Sequence, residues 1–161
     1  HVILAFALAK QKIKDLQLIV AGRADRGYGK KVIKIIQNHP HKESIKYFKG
    51  ANQERKLELI QKSHLICVTS VKEGWGLVVT EANSQSKPAV VYNVDGLKDS
   101  VKDKITGLVC NINSPDNLAQ NIIELLQNKE KYNMLRKNAW QWSKKINFEL
   151  SYQDFLKIIE K

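Results

Sequence analysis

Glu73 and Glu81 stand eight positions apart and frame the run Glu73-Gly-Trp-Gly-Leu-Val-Val-Thr-Glu81. An ionised carboxylate accepts hydrogen bonds and donates none, so both glutamates suit hydroxyl-rich groups such as a sugar and a ribose. Gly74 and Gly76 let the backbone come close to a ligand and tolerate positive φ. If a helix begins near Leu77, Glu81 lies roughly 6 Å further along its axis, at ~1.5 Å per residue. The amides at that helix start, together with its dipole, form a favourable place for a diphosphate. Taken alone, two glutamates at this spacing have a plainer explanation. One complements a helix dipole and the other stands in solvent.

The flanking residues favour the chemical reading. Before the run comes a β-branched stretch, Leu65-Ile-Cys-Val-Thr-Ser70, and after it a helix-compatible segment, Leu77 to Gln85, closed by Pro88 and the apolar Ala89-Val-Val-Tyr92. The order is strand, Gly-rich loop, helix, strand, which sets the loop at the end of a buried strand. The same alternation runs through the chain. Helices are expected over Val2–Lys12, Gly29–Asn38, Asn52–Lys62, Leu77–Gln85, Pro115–Asn128, Lys131–Ser143 and Ser151–Lys161. Strands are expected over Gln17–Ala21, Ile45–Phe48, Leu65–Thr69, Ala89–Tyr92 and Leu108–Cys110. Short continuous apolar strands between helices imply a Rossmann-like α/β domain, a parallel sheet with helices on both faces. Ser114-Pro115 opens one helix with proline in its first position. Ser151 and Asp154 read as a capping box with Asp in place of Glu.

The run SVKEGWGLVVTEANSQSKPAVVYNVDGLKDSVKDKITGLV resembles the C-terminal donor-binding half of the family-four retaining glycosyltransferases, which have the GT-B architecture. The loop, both glutamates, the Lys87-Pro88 turn and Thr106-Gly107-Leu-Val occur in the family's order, and weaker similarity covers nearly all of the chain. Thr69 stands where proline is usual, and Ser86-Lys87 replaces the common Gly-Thr. The resemblance implies that Gly74, Trp75, Gly76, Leu77 and Val78 face the donor diphosphate and sugar, that Glu73 meets the transferred sugar, and that Glu81 binds ribose hydroxyls. Trp75 would fix the loop by its contacts. Phe48 and Lys49 would meet the nucleobase edge, their alternative being a core aromatic and a solvated lysine. Gly22 and Arg23 would lie close to the nucleotide, their alternative being a surface loop.

The resemblance also implies parts that the chain lacks. It starts inside the family's first helix, so the preceding central strand, the arginine and lysine that clamp the diphosphate and the whole N-terminal acceptor domain are expected upstream. Without that strand the sheet would divide into two sub-sheets with exposed inner edges. The segment alone is expected to transfer nothing. No metal or other cofactor is expected, because the nucleotide-sugar is a substrate and no Asp-x-Asp pair occurs. The acceptor would be a sugar or a lipid-linked group. The alternative function is a non-catalytic nucleotide-sugar-binding module that kept the fold.

Composition narrows the classes. At 161 residues the chain is one domain that can bury a core. The formal charge of +11 is spread as lysine, densest at Lys30-Lys31, Lys98/Lys102/Lys104 and Lys144-Lys145. A solvated surface accounts for it. The sharper readings are attraction to an anionic donor and to an anionic membrane, at ~1 kcal/mol per basic residue near the surface. Nucleic acid is not expected, since the aromatics do not interleave with the basic residues. Cys67 and Cys110 read as buried free thiols, in keeping with a cytoplasmic location, at the inner membrane surface if the acceptor is lipid-linked. From Gly22 the P-loop spacing reaches Gly27, but Tyr28 takes the lysine position. His39 and His41 read as surface residues, His64 as a junction cap, and no Ser-His-Asp set appears. Asp95-Gly96-Leu97 and Asp99 read as a capped turn beside the loop. The resemblance implies that the C-terminal tail crosses to the other domain, which makes Trp140, Trp142, Phe148 and Tyr152 candidates for an interdomain surface.

Overall fold

The computed structural model describes residues 1–25 and 27–159. Its elements alternate as expected: α1 (Val2–Lys12), β1 (Leu18–Gly22), α2 (Tyr28–Gln37), β2 (Ile45–Lys49), α3 (Gln53–Lys62), β3 (Ile66–Val68), α4 (Leu77–Ser84), β4 (Ala89–Val91), α5 (Leu97–Ser100), β5 (Gly107–Val109), α6 (Pro115–Gln127), α7 (Lys129–Ser143) and α8 (Phe148–Ile159). All strand pairing is parallel, in two sheets, β1-β2 and β3-β4-β5. Thus β1 and β3 each have one strand neighbour among the described residues, matching the expected division into two sub-sheets. Burial follows from this. β4, paired on both sides, is fully buried, whereas every residue of β3 is partly exposed.

Alternation along β4 sends side chains to opposite faces of the sheet. Val90 joins Ala5 and Ala9 of α1, Leu108 of β5, and Leu118, Ile122 and Leu125 of α6. Ala89 and Val91 face the other way, onto Val79 of α4 and Leu97 and Val101 around α5. A third cluster joins Ile3, Phe6, Ile36 and Ile45 over β1. Helices therefore cover both faces. Ser114 caps α6, its Oγ accepting from Asn117 N at 3.2 Å with Pro115 in the first turn.

Three expectations need correction. Asn147, not Ser151, caps α8, since Leu150 N donates to Asn147 Oδ1 at 2.9 Å and Ser151 lies inside the helix. The last two residues expected in that helix fall outside the described residues. His39 is buried beside Phe6 rather than on the surface, its Nδ1 accepts from His41 N at 3.1 Å, and burial lowers its pKa. At the junction after α3, Ser63 makes the capping bonds and His64 contributes its carbonyl to Tyr132 Oη at 2.9 Å.

The end of α4 shows what the Ser86-Lys87 departure does. Ser86 N bonds to Asn83 O and Lys87 N to Ala82 O, each at 2.9 Å, which is a Schellman closure with Ser86 at the left-handed position. Ser86 has φ +56°, a conformation that costs an L-residue roughly 1–2 kcal/mol. Ser86→Gly is expected to stabilise the protein by about 1 kcal/mol after glycine's own entropy is counted. Thermal unfolding reads this as a rise of roughly 2–4 °C. An unchanged midpoint would show that the turn is not strained.

Candidate functional site

The loop from Glu73 to Gly76 leaves the carboxyl end of β3 and turns into α4. Gly76 is the residue before the helix, at φ +83°, ψ +59°, and a Cβ there would meet Leu97 Cδ2 at 2.8 Å. Glycine is required at this position. Gly74 differs from the expectation: a Cβ there meets nothing within 4 Å and its φ is not positive. Trp75 donates from Nε1 to Thr80 Oγ1 at 3.0 Å, so the indole ties the loop to the first turns of α4. Val79 N donates to Gly76 O at 2.8 Å. Among the described residues the amides of Leu77 and Val78 donate to nothing, as at any uncapped helix start. That start is open: Leu77 is 73% exposed.

Glu73 is held by its own loop, accepting from Ser70 Oγ at 3.3 Å and Gly74 N at 3.2 Å. Behind the loop stands Gly96, whose amide donates to Asp99 Oδ2 at 3.2 Å, the expected capped turn. A Cβ on Gly96 would lie 2.4 Å from Glu73 O and 2.6 Å from Gly74 C and O. The turn is thus the backing of the loop.

Glu81 faces α3. Lys56 Nζ lies 2.6 Å from Glu81 Oε1 and Gln53 Nε2 reaches the same oxygen at 3.4 Å. Glu81 Oε2 is buried and has no hydrogen-bond partner among the described residues. The start of α3 is fixed by Asn52, whose Oδ1 accepts from Arg55 N at 2.8 Å. Arg55 in turn lies over the Phe48 ring, 4.8 Å from its centroid, and pairs with Glu58. One helical turn therefore touches both the end of β2 and Glu81. No contact joins Glu73 to Glu81 directly.

The four nucleotide candidates meet at the carboxyl ends of β1 and β2. Gly22 pairs in register with Lys49, and its carbonyl accepts from Tyr47 Oη at 2.8 Å and Gly50 N at 3.2 Å. Arg23 follows at the exposed end of β1. Lys49 is exposed and bonds Asp25 at 2.6 Å, and that carboxylate holds the ammonium pKa above its ordinary value. Carboxyl ends of parallel strands are where open α/β sheets bind ligands. Gln53, Arg55 and Lys56 escaped sequence reading. Their only local signal was a capping Asn52 with Gln53 and Lys56 three positions apart, on one helical face.

Other features lie apart from this site. Hollows of about 400 Å³ beside Lys98 and Lys102 and about 500 Å³ beside Lys31 and Lys34 include neither glutamate. Cys67 and Cys110 are free; Cys110 is buried as expected and Cys67 only partly so, and desolvation pushes the Cys67 thiol up to about 12 and the Cys110 thiol up to about 11, so neither is a thiolate near neutrality. Among the described residues, no group of three or more His, Cys, Asp or Glu is placed to hold a metal ion. None of the described helices is long and apolar enough to cross a membrane.

The family profile described as Glycosyl transferases group 1 matches residues 1–142. The chain belongs to that family, the family-four glycosyltransferases of GT-B architecture. An uncharacterized glycosyltransferase of Methanocaldococcus jannaschii is 34% identical over 101 residues, covering 63% of this chain and 29% of that protein. The poly(glycerol-phosphate) alpha-glucosyltransferase of Bacillus subtilis is 28% identical over 148 residues, covering 91% of this chain and 21% of the relative. Among solved structures, HepE of Anabaena in complex with UDP and glucose superposes with a TM-score of 0.80 at 20% identity, covering 98% of this chain and 44% of that one. The chain thus spans less than half the length of each of these proteins.

Proposed function

We propose that this chain is the donor-binding half of a retaining, nucleotide-sugar-dependent glycosyltransferase. The observation that carries the reading is the open start of α4, where Gly76 turns the backbone and the unpaired amides of Leu77 and Val78 stand between Glu73 and Glu81. A diphosphate placed there meets oriented N–H groups and the positive end of a helix dipole. Glu73, in the loop, would take hydroxyls of the transferred sugar, and Glu81, further along the helix, those of the ribose. Gly22, Arg23, Phe48 and Lys49 would border the base.

Transfer would then rest on electrostatic stabilisation of the leaving nucleoside diphosphate. The acceptor hydroxyl would attack the anomeric carbon from the face the phosphate leaves. A phosphate oxygen would take its proton, so configuration is retained. HepE, solved with UDP and glucose, supports a nucleoside-diphosphate donor. A cytoplasmic enzyme meeting a lipid-linked acceptor at an anionic membrane surface fits the lysine-rich composition, and no metal is proposed. An upstream domain would supply acceptor contacts, and a further strand belonging to this donor-binding half would lie between β1 and β3.

The test is calorimetry of the full-length protein with uridine, guanosine and adenosine diphosphate sugars, followed by turnover assays. Binding of one series, with nucleoside diphosphate released when acceptor is present, is the expected result. Binding without turnover across an acceptor panel would mark a module that kept only recognition. No binding to any of the three series would overturn the reading.

A further inference from the structure

Lys56 occupies an unusual place for a cation. It lies in the first turn of α3, where the helix dipole disfavours positive charge, yet its side chain is only one third exposed and its ammonium pairs with Glu81 across 25 positions of sequence. Gln53, on the same helical face, reaches the same Oε1. An ionised carboxylate has about four acceptor sites, and these two donors converge on one oxygen. The other oxygen, Oε2, is buried with no donor among the described residues, so the protein's own atoms cover it and Oε1 is the oxygen left for a ligand. α3 itself is anchored by the Asn52 cap and by Arg55 over Phe48. The lysine therefore extends from a rigid support.

We propose that Lys56 is a positioning residue: by bonding Oε1 it fixes the rotamer of Glu81, so that the remaining acceptor capacity of that oxygen stands ready for a hydroxyl of the donor's ribose. The inference rests on the proposed donor site and adds to it a second helix, α3, as the support of ribose recognition. A side chain that rotates freely would spend binding energy on being ordered by the ligand, whereas one held in place does not. Gln53 contributes a longer, weaker contact to the same end.

The experiment uses the full-length protein and whichever of uridine, guanosine or adenosine diphosphate it binds, set against the matching 2′,3′-dideoxynucleoside diphosphate. Calorimetry should give a preference for the ribose form of at least about 10-fold in the unmodified protein. Lys56→Met, which keeps the aliphatic stem, should weaken the ribose form by about 10-fold, leave the dideoxy form unchanged and so bring the ratio close to one. Lys56→Arg should restore most of the preference. Lys56→Gln provides a second neutral variant if Lys56→Met does not fold. A ratio unchanged in the neutral variants overturns the proposal. So does equal loss of both ligands, which would mark a merely structural or general charge effect. Glu81→Gln separates the two levels. If it leaves the ratio intact, the ribose assignment itself fails and the role of Lys56 with it. If it abolishes the ratio while the neutral Lys56 variants do not, only the positioning role fails.

Discussion

Glu81→Ala in the full-length protein is expected to weaken nucleotide-sugar binding by about 10- to 100-fold, the worth of charged hydrogen bonds to ribose hydroxyls. The fold should survive the change. The Lys56–Glu81 pair is partly exposed, with side chains 33% and 30% accessible, so its loss costs about 1 kcal/mol or less. Removing the carboxylate also removes the buried, unpartnered Oε2. Calorimetric titration together with a thermal melt separates binding from stability. A variant that melts like the parent and binds donor with undiminished affinity would remove the ribose assignment.

Gly96→Ala should be the more disruptive change, although no ligand contact is assigned to that residue. Its φ of +80° is strained for any L-residue. The added methyl would stand 2.4 Å from the Glu73 carbonyl, and backbone cannot yield as a flexible side chain can. Destabilisation of about 3 kcal/mol or more is expected, from the strained dihedral and the forced backbone shift together. Donor affinity should fall as the Glu73-Gly74 peptide moves. Gly74→Ala is the matched contrast. With nothing within 4 Å of its Cβ, it should leave the melting midpoint nearly unchanged and act only on binding. Equal midpoints for the two variants would show that the Gly96 turn is not the backing of the loop.

Much of this was legible from residue order because the informative signals are local. Apolar runs ended by turn residues gave the strands, Ser114-Pro115 gave the start of α6, and the glycine pair gave the loop into α4. The division into two sheets followed from the family resemblance, in which a strand precedes the residues that match Val2–Leu8. What stayed hidden depends on tertiary placement. Lys56 and Glu81 meet because α3 and α4 lie side by side, and nothing within either segment announces it. The burial of His39 comes from Phe6, far away in sequence. Ser151 does not cap α8 because the helix begins three residues earlier, at Phe148, where Asn147 takes the capping role. The need for glycine at 96 comes from a neighbouring loop's carbonyl. Conversely, glycine at 74 answers to no steric neighbour and no positive φ.

The unpaired sides of β1 and β3 have a consequence for handling the molecule. Among the described residues neither side carries a strand partner, and an edge of that kind is a template for extended chain, including another copy of the same polypeptide. Produced alone at high concentration, the polypeptide would recruit its own neighbours into mixed assemblies, against which its abundant lysines offer only electrostatic repulsion that salt weakens. Dilute, low-salt solutions are thus the conditions under which this polypeptide would stay dispersed.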